Sequence, residues 1–111
     1  MKLTFIELSP FEKYRKAHLN DDEYRHLQNI LLEFPEKGDV IQGLSGLRKM
    51  RLADSSRHKG KRGGARVIYY YAQTKSRIYF VTAYGKDKQT DINDEQRALL
   101  LQVIDRLKKL E

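Results

Sequence analysis

The sequence predicts a single α+β domain with a small antiparallel sheet of about four strands, two N-terminal helices and one C-terminal helix. Two helix-start signals after a first apolar run, then a series of β-rich segments, then an amphipathic C-terminal segment predict this class. At 111 residues with 40% hydrophobic residues, the chain (residues 1–111) is long enough to form one domain around a core.

The chain begins with a predicted strand that leads directly into a helix. Residues 3–8 (LTFIEL) form a short apolar run suited to a strand. Ser9 then precedes a proline and is followed three residues later by Glu12, a pattern typical of a capping box with serine as N-cap. We therefore expect a first helix from this point to about Leu19.

A second helix follows after a very short linker. Asn20 and Glu23 repeat the capping pattern, and Pro35 ends the helix because the residue before a proline is pushed out of the α region. Apolar residues at helical spacing give this helix one buried face: Tyr24, Leu27, Ile30, Leu31 and Phe34. Two helices joined this closely predict an αα-hairpin.

Three strands are predicted after a glycine-containing loop at residues 36–46. Residues 47–52 (LRKMRL) alternate in character, whereas residues 65–72 (ARVIYYYA) and 77–84 (RIYFVTAY) are rich in β-branched and aromatic residues. The four residues at 73–76 (QTKS) are suited to a hairpin connection. The last two strands are apolar on both faces, which is expected of central strands with a helix layer on one side of the sheet.

The C-terminal segment predicts a third helix. Asn93 with Gln96 three residues later is again a capping signal. A broad apolar stripe follows it: Leu99, Leu100, Val103, Ile104, Leu107 and Leu110. The complete predicted order is β-α-α-β-β-β-α.

The charge balance predicts an anionic partner. Lysine and arginine number 22 against 15 acidic residues, which gives a net charge of +7. The chain has no apolar run approaching the ~20 residues needed to span a bilayer and no secretory signal pattern, so no membrane partner is expected. The absence of cysteine excludes disulfides and thiolate metal sites, and the three histidines show no ligand spacing. A cytoplasmic protein without a metal or other cofactor is the expectation.

Two cations of the first β-rich segment after the loop are expected to share a sheet face with a third. Lys49 and Arg51 are two residues apart on one strand, so their side chains point the same way, and Arg48 points with Met50 to the other face. If the next strand pairs antiparallel, Arg66 lies beside Lys49 and Arg51. Three converging cations predict a phosphate site, in which an arginine can bind two oxygens at once. The alternative is that these cations only keep the sheet surface soluble.

Further basic and aromatic residues are candidates for binding RNA or the ribosome around that site. The segment RHKGKRGGAR lacks the spacing of a phosphate-binding P-loop, and its alternative interpretation is a solvated hairpin loop. Its glycines would let the backbone approach a ligand closely. The candidate binding residues are Arg48, Arg57, Lys59, Lys61, Arg62, Tyr84 and Lys86.

Several spaced motifs resemble one known family. The segments LRKMRLA, GKRGGARVIYYYA and YFVTAYGK, with the preceding GDVIQGLSG, resemble the HigB branch of the RelE superfamily of type II toxin–antitoxin toxins. The resemblance extends from Phe5 to Leu107 and includes the element order. It implies a small basic endoribonuclease, independent of metal, that cuts mRNA in the ribosomal A site.

The resemblance also implies partners and residue roles. The partners are a cognate antitoxin, mRNA on the ribosome and ribosomal RNA, with operator DNA contacted only through the antitoxin complex. The basic strand pair of the family corresponds to Lys49 and Arg51, and the arginine opening its central strand corresponds to Arg66. An arginine and a tyrosine that some members carry after the last strand are replaced here by Asp87 and Asn93.

These residues suggest a hypothesis for catalysis with one competitor. Cleavage of a phosphodiester by the neighbouring 2′-hydroxyl needs a base, cations for the phosphate charge and a proton for the leaving oxygen. In the hypothesis Arg66 and Arg51 stabilise the phosphate while Lys49 takes part in proton transfer. The competitor is a non-catalytic basic module that binds RNA or the ribosome through the same cleft. Docking of the antitoxin on the basic face or on the helices is left open.

Overall fold

The molecule consists of a five-stranded sheet between two helical layers. The computed structural model describes residues 2–52 and 64–110. The strand order across the sheet is β1-β5-β4-β3-β2. The elements in chain order are β1 (Thr4–Glu7), α1 (Ser9–His18), α2 (Asp21–Glu33), β2 (Asp39–Val40), β3 (Arg48–Leu52), β4 (Ala65–Ala72), β5 (Arg77–Gly85) and α3 (Asp94–Lys109).

The strands β4 and β5 form the centre of the sheet, as their apolar composition predicted. They pair antiparallel over their whole length, from Ala65 opposite Gly85 to Ala72 opposite Arg77. The predicted four-residue connection is a short 3-10 turn closed by Ser76 in a left-handed conformation. The strand β3 pairs antiparallel with the other edge of β4 and thereby places the basic segment next to the centre of the sheet.

The predicted element order is confirmed, with two differences in the sheet. The sheet is mixed, because β1 pairs parallel with β5, and it has a fifth strand, the two-residue β2 beside β3. An apolar run such as residues 3–8 identifies a strand without encoding its direction. The two helices after β1 supply the crossover that a parallel neighbour requires.

Helices cover both faces of the sheet, whereas the sequence predicted a layer on one side. On the first face, α1 and α2 contribute Phe11, Leu27 and Leu31 to a core with strand residues such as Val67 and Phe80. Phe80 is the centre of an aromatic stack, with its ring centroid 4.6 Å from that of Phe11.

The second face carries the other core and the candidate site. The helix α3 buries Leu100, Ile104 and Leu107 there, together with Leu44 and Leu47 from the loop before β3. Both faces of β4 and β5 are therefore apolar because each face is packed against its own helical layer. Within residues 2–52 and 64–110, no helix is both long enough and apolar enough to cross a bilayer.

Two of the three predicted capping boxes are present, and the first is absent. The Asn20 and Asn93 side chains accept from the backbone N–H groups of Glu23 and Gln96, which reciprocate. In α1 the N-cap is Leu8 without a side-chain cap bond, and Ser9 is already helical. Leu8 donates its N–H to the carbonyl of Phe80 at 2.9 Å, so β1 pairing continues up to the first helical residue and the helix begins one residue early.

Candidate phosphate-binding site

Pairing between β3, β4 and β5 places three polar side chains in one row across the sheet. Arg51 lies opposite Arg66, and Arg66 lies opposite Tyr84. Directly paired residues on neighbouring strands share a face, and here it is the face covered by α3. Lys49 is two residues before Arg51 and points to the same side. The structure thus brings Lys49, Arg51 and Arg66 together on one face.

Arg66 is the most buried cation of this row. Only 8% of the residue is exposed, and its Nη1 atom has no hydrogen-bond partner in the described part of the chain. Burial lowers the pKa of Arg66, and the positive charge of the neighbouring Arg51 lowers it further. A buried donor without a partner costs about 1–3 kcal/mol. An anion that accepts a hydrogen bond from Nη1 would recover this cost.

Tyr84 is the neutral neighbour of that guanidinium. The residue is also 8% exposed, and its hydroxyl oxygen is buried without a partner among residues 2–52 and 64–110. Burial raises the pKa of Tyr84, while the charges of Lys49 and Arg66 act in the opposite direction. The hydroxyl therefore remains protonated at neutral pH and can donate a hydrogen bond to an anion.

Lys49 is paired with an acidic residue that sequence reasoning missed. Its Nζ atom lies 3.2 Å from Oδ1 of Asp91, which is in the loop between β5 and α3. The same Oδ1 accepts a hydrogen bond from the backbone N–H of Ile92 at 2.8 Å. The Ile92 N–H and Lys49 lower the pKa of Asp91, and the charge of Lys86 contributes as well. Asp91 is therefore a carboxylate between two cations.

Lys86 lies at the same end of the sheet as the row. It follows β5 directly, and its Nζ donates to the carbonyl of Thr90 at 2.9 Å. Its charge acts on Asp91, so Lys86 is close to the cluster. We call the set Lys49, Arg51, Arg66, Tyr84 and Lys86 the basic cluster.

Arg48 is separated from the basic cluster, on the face that the strand alternation predicted, and its contact with RNA or the ribosome stays a prediction. Its side chain donates to the carbonyl of Gly38 at 2.8 Å and pairs with Glu36 at 3.3 Å. Because side chains alternate along a strand, Arg48 points to the face opposite Lys49. There it ties the loop after α2 to the sheet.

The remaining basic candidates lie outside the described residues. These are Arg57, Lys59, Lys61 and Arg62. Their proposed contact with RNA or the ribosome stays a prediction.

The basic cluster can bind and polarise a phosphodiester. It combines two guanidinium groups, two ammonium groups and one protonated hydroxyl at one end of the sheet, and charge-assisted hydrogen bonds from such donors are the strong ones. Across the two described ranges, no group of three or more histidine and acidic residues is arranged to hold a metal ion. The donors seen here are suited to an oxyanion.

Comparison with known proteins identifies similar sequences and folds. A family model described as "RelE toxin of RelE / RelB toxin-antitoxin system" matches residues 11–111. A free-state, doubly substituted E. coli toxin RelE is similar in fold, with a TM-score of 0.54 and 17% identity over 75% of this chain and 82% of that one. The toxin–antitoxin complex RelBE of E. coli gives a TM-score of 0.53 and 16% identity over 74% of this chain and 94% of that one.

Proposed function

This chain belongs to the RelE toxin family, and from that premise we propose that it cleaves mRNA on the ribosome as the toxin of a type II toxin–antitoxin module. The observation that carries the proposal is the convergence of Lys49, Arg51 and Arg66 on one face, with an unpaired Nη1 on a guanidinium that is only 8% exposed. Solubility alone does not account for a buried, unpaired arginine donor, because exposed cations serve that purpose without the desolvation cost.

The proposed chemistry is attack of a 2′-hydroxyl on the adjacent phosphorus, which forms a 2′,3′-cyclic phosphate and breaks the bond from phosphorus to the 5′-oxygen. The 2′-hydroxyl gives its proton to solvent water, and the leaving 5′-oxygen takes a proton from the protein. Charge builds on the non-bridging oxygens in the transition state, and fixed donors in a partly dry site stabilise it. Arg66 and Arg51 take this role, since they lie opposite each other on neighbouring strands. The planar fork of Arg66 is suited to two oxygens at once.

Lys49 is proposed as the proton donor for the leaving 5′-oxygen. In this structure its Nζ donates to Oδ1 of Asp91 at 3.2 Å, and an ammonium group can give a proton but has no acceptor. This assignment refines the sequence hypothesis, in which Lys49 was open to act as base or acid.

The proposal is tested by comparing Lys49→Ala and Arg66→Ala with wild type after induction in cells. Primer extension on a translated mRNA should show in-frame cuts for wild type, and loss of one transition-state donor should reduce them about 100- to 1,000-fold. Untranslated copies of the same transcript should not be cut. Cuts at wild-type frequency in both variants would remove the proposed site.

A matched control is provided by Lys75→Ala. Lys75 is exposed in the turn between β4 and β5, at the opposite end of the sheet, so this variant makes the same charge change away from the basic cluster. It should cut mRNA as wild type does. Arrest of translation without any cut, equal in wild type and Lys49→Ala, would favour the non-catalytic RNA- or ribosome-binding module instead.

The partner proposed for regulation is a cognate antitoxin. Support comes from the family description and from the similarity in fold to the toxin of the RelBE complex. Co-expression with the neighbouring reading frame should restore growth. Membership of the HigB branch and contact with operator DNA through the antitoxin complex remain predictions.

A further inference from the structure

The loop after β5 places a carboxylate against the basic cluster. Asp91 is held in position at one oxygen by two donors, the Ile92 N–H and Lys49 Nζ. The amide of Gln89 donates to the backbone carbonyl of Asp91 at 2.9 Å and thereby fixes the loop locally. The Asp91 side chain is 66% exposed, whereas that of Lys49 is 31% exposed.

The donors next to this ion pair are unsatisfied. The Tyr84 hydroxyl senses the charges of both Lys49 and Asp91, so it lies close to the pair, and it has no hydrogen-bond partner within the described ranges. Arg66 Nη1, one strand away, is in the same condition. One cation of this site, Lys49, is thus already paired with a carboxylate of the protein itself.

A carboxylate and a phosphodiester each carry one negative charge and both accept from ammonium groups. The two anions repel each other at close range, so a phosphate that reaches Lys49 is opposed by the charge of Asp91. Binding of RNA beside Arg66 and Tyr84 is therefore favoured when Asp91 moves away from Lys49. The exposure of Asp91 and its place in a loop make such a displacement inexpensive.

We infer that Asp91 is an internal competitor for the RNA phosphate, which keeps Lys49 occupied until substrate displaces it. The inference rests on the proposed function, since it concerns regulation of the same site. It predicts that the protein binds RNA more weakly than its positive charge allows.

The test is the affinity for a trinucleotide of 2′-O-methyl RNA, which cannot be cleaved, measured by NMR titration of the full chain. Asp91→Asn keeps an oxygen that can accept from Ile92 and removes the charge. Because a largely exposed ion pair is worth up to about 1 kcal/mol, the variant should bind about two- to fivefold more tightly. Asp87→Asn is the matched control, since it removes an equal charge from an exposed residue of the same loop.

A double-mutant cycle makes the test specific to the pair. In a Lys49→Ala background, Asp91→Asn should change the affinity no more than Asp87→Asn does. The inference is overturned by weaker or unchanged binding in Asp91→Asn, by an equal gain in Asp87→Asn, or by a gain that persists without Lys49. Weaker binding would instead make Asp91 a residue that orients Lys49.

This readout is independent of the proposed function. Affinity for an uncleavable RNA is measured without the ribosome and without catalysis. If Asp91→Asn behaves as expected while Lys49→Ala and Arg66→Ala cut mRNA normally, the proposed function fails and the competition stands. The reverse pattern leaves the nuclease in place and removes the competitor.

Discussion

The Tyr69 hydroxyl shows how one buried polar atom fixes the loop that leads to the basic strand. It donates to the carbonyl of Pro35 at 2.9 Å and accepts from the N–H of Gly38 at 2.8 Å. A Cβ on Gly38 would lie 2.8 Å from the Tyr69 ring, so only glycine fits there without displacement of the tyrosine. Tyr69 thereby connects the end of α2, the loop and β4.

We predict that Tyr69→Phe lowers the free energy of unfolding by about 1–3 kcal/mol, because it leaves the buried N–H of Gly38 and the half-buried carbonyl of Pro35 without their partner. Urea denaturation followed by circular dichroism measures the change. Tyr71→Phe is the control, since Tyr71 is a half-buried residue of the same strand and no hydrogen bond to its hydroxyl is seen within residues 2–52 and 64–110. Equal losses in both variants would contradict the role of the Tyr69 hydroxyl.

At the site, the positions of some residues could be predicted from the sequence, whereas those of others could not. The shared direction of Lys49 and Arg51 follows from the alternation of a strand, and the position of Arg66 follows from antiparallel pairing. Asp91 is 42 positions from its partner Lys49. The sequence offered one signal, an acidic residue in the loop before the N-cap of α3, but loop geometry decides which cation it meets.

At the scale of elements, helix starts were predicted well where a side chain caps the backbone. The Asn20 and Asn93 boxes depend only on residues within four positions of each other, so local sequence specifies them. The start of α1 instead depends on the bond from Leu8 to Phe80, which is distant along the chain. Tertiary pairing therefore overrode a correct-looking local signal at Ser9.

This difference predicts a larger loss of stability for one N-terminal substitution than for the other. Asn20→Ala should lower the free energy of unfolding by about 1 kcal/mol, the usual cost of losing an N-cap side chain. Ser9→Ala should change it by less than about 0.5 kcal/mol, because Ser9 lies inside α1 and provides no cap bond. Both values come from the same urea titration. A larger loss for Ser9→Ala would show that the serine caps the helix in solution.

The sheet shows what element-level reasoning can and cannot reach. The bounds of β4 agree with the prediction and β5 extends by one residue, to Gly85, because dense β-branched and aromatic residues are unambiguous. The two-residue β2 was missed, since Asp39 and Val40 carry no strand pattern of their own. The helix layer on the second face of the sheet was missed because the apolar stripe of α3 does not indicate which face of the sheet the helix covers.

At the scale of the whole molecule, β1, α1 and α2 are joined by a half-buried contact between charged and aromatic side chains. Arg15 pairs with Glu7 and lies over the Tyr24 ring, 4.8 Å from its centroid. Burial, with the negative charge of Glu7, raises the pKa of Tyr24 to about 12. The folded protein thus holds this phenol protonated at pH values where the unfolded chain releases the proton.

The alkaline stability of the protein should reflect this shift. Because the folded pKa is raised, its contribution is complete below pH 10 and is lost as pH rises toward about 12. Between these values Tyr24 should make the free energy of unfolding fall by up to about 1.4 kcal/mol per pH unit. Tyr24→Phe should show a shallower decline in the same window by urea denaturation. An identical pH profile in both proteins would contradict the shift.

The position of β5 has a consequence for synthesis. It is the last strand along the chain, yet it lies between β1 and β4 in the sheet. The first strand, β1, therefore has no strand to pair with until β5 has been synthesised. The row that ends at Tyr84 is likewise incomplete until β5 docks. A nascent chain interrupted before that point carries its cations on an unfinished sheet. The full row is therefore assembled only after the final strand has emerged from the ribosome.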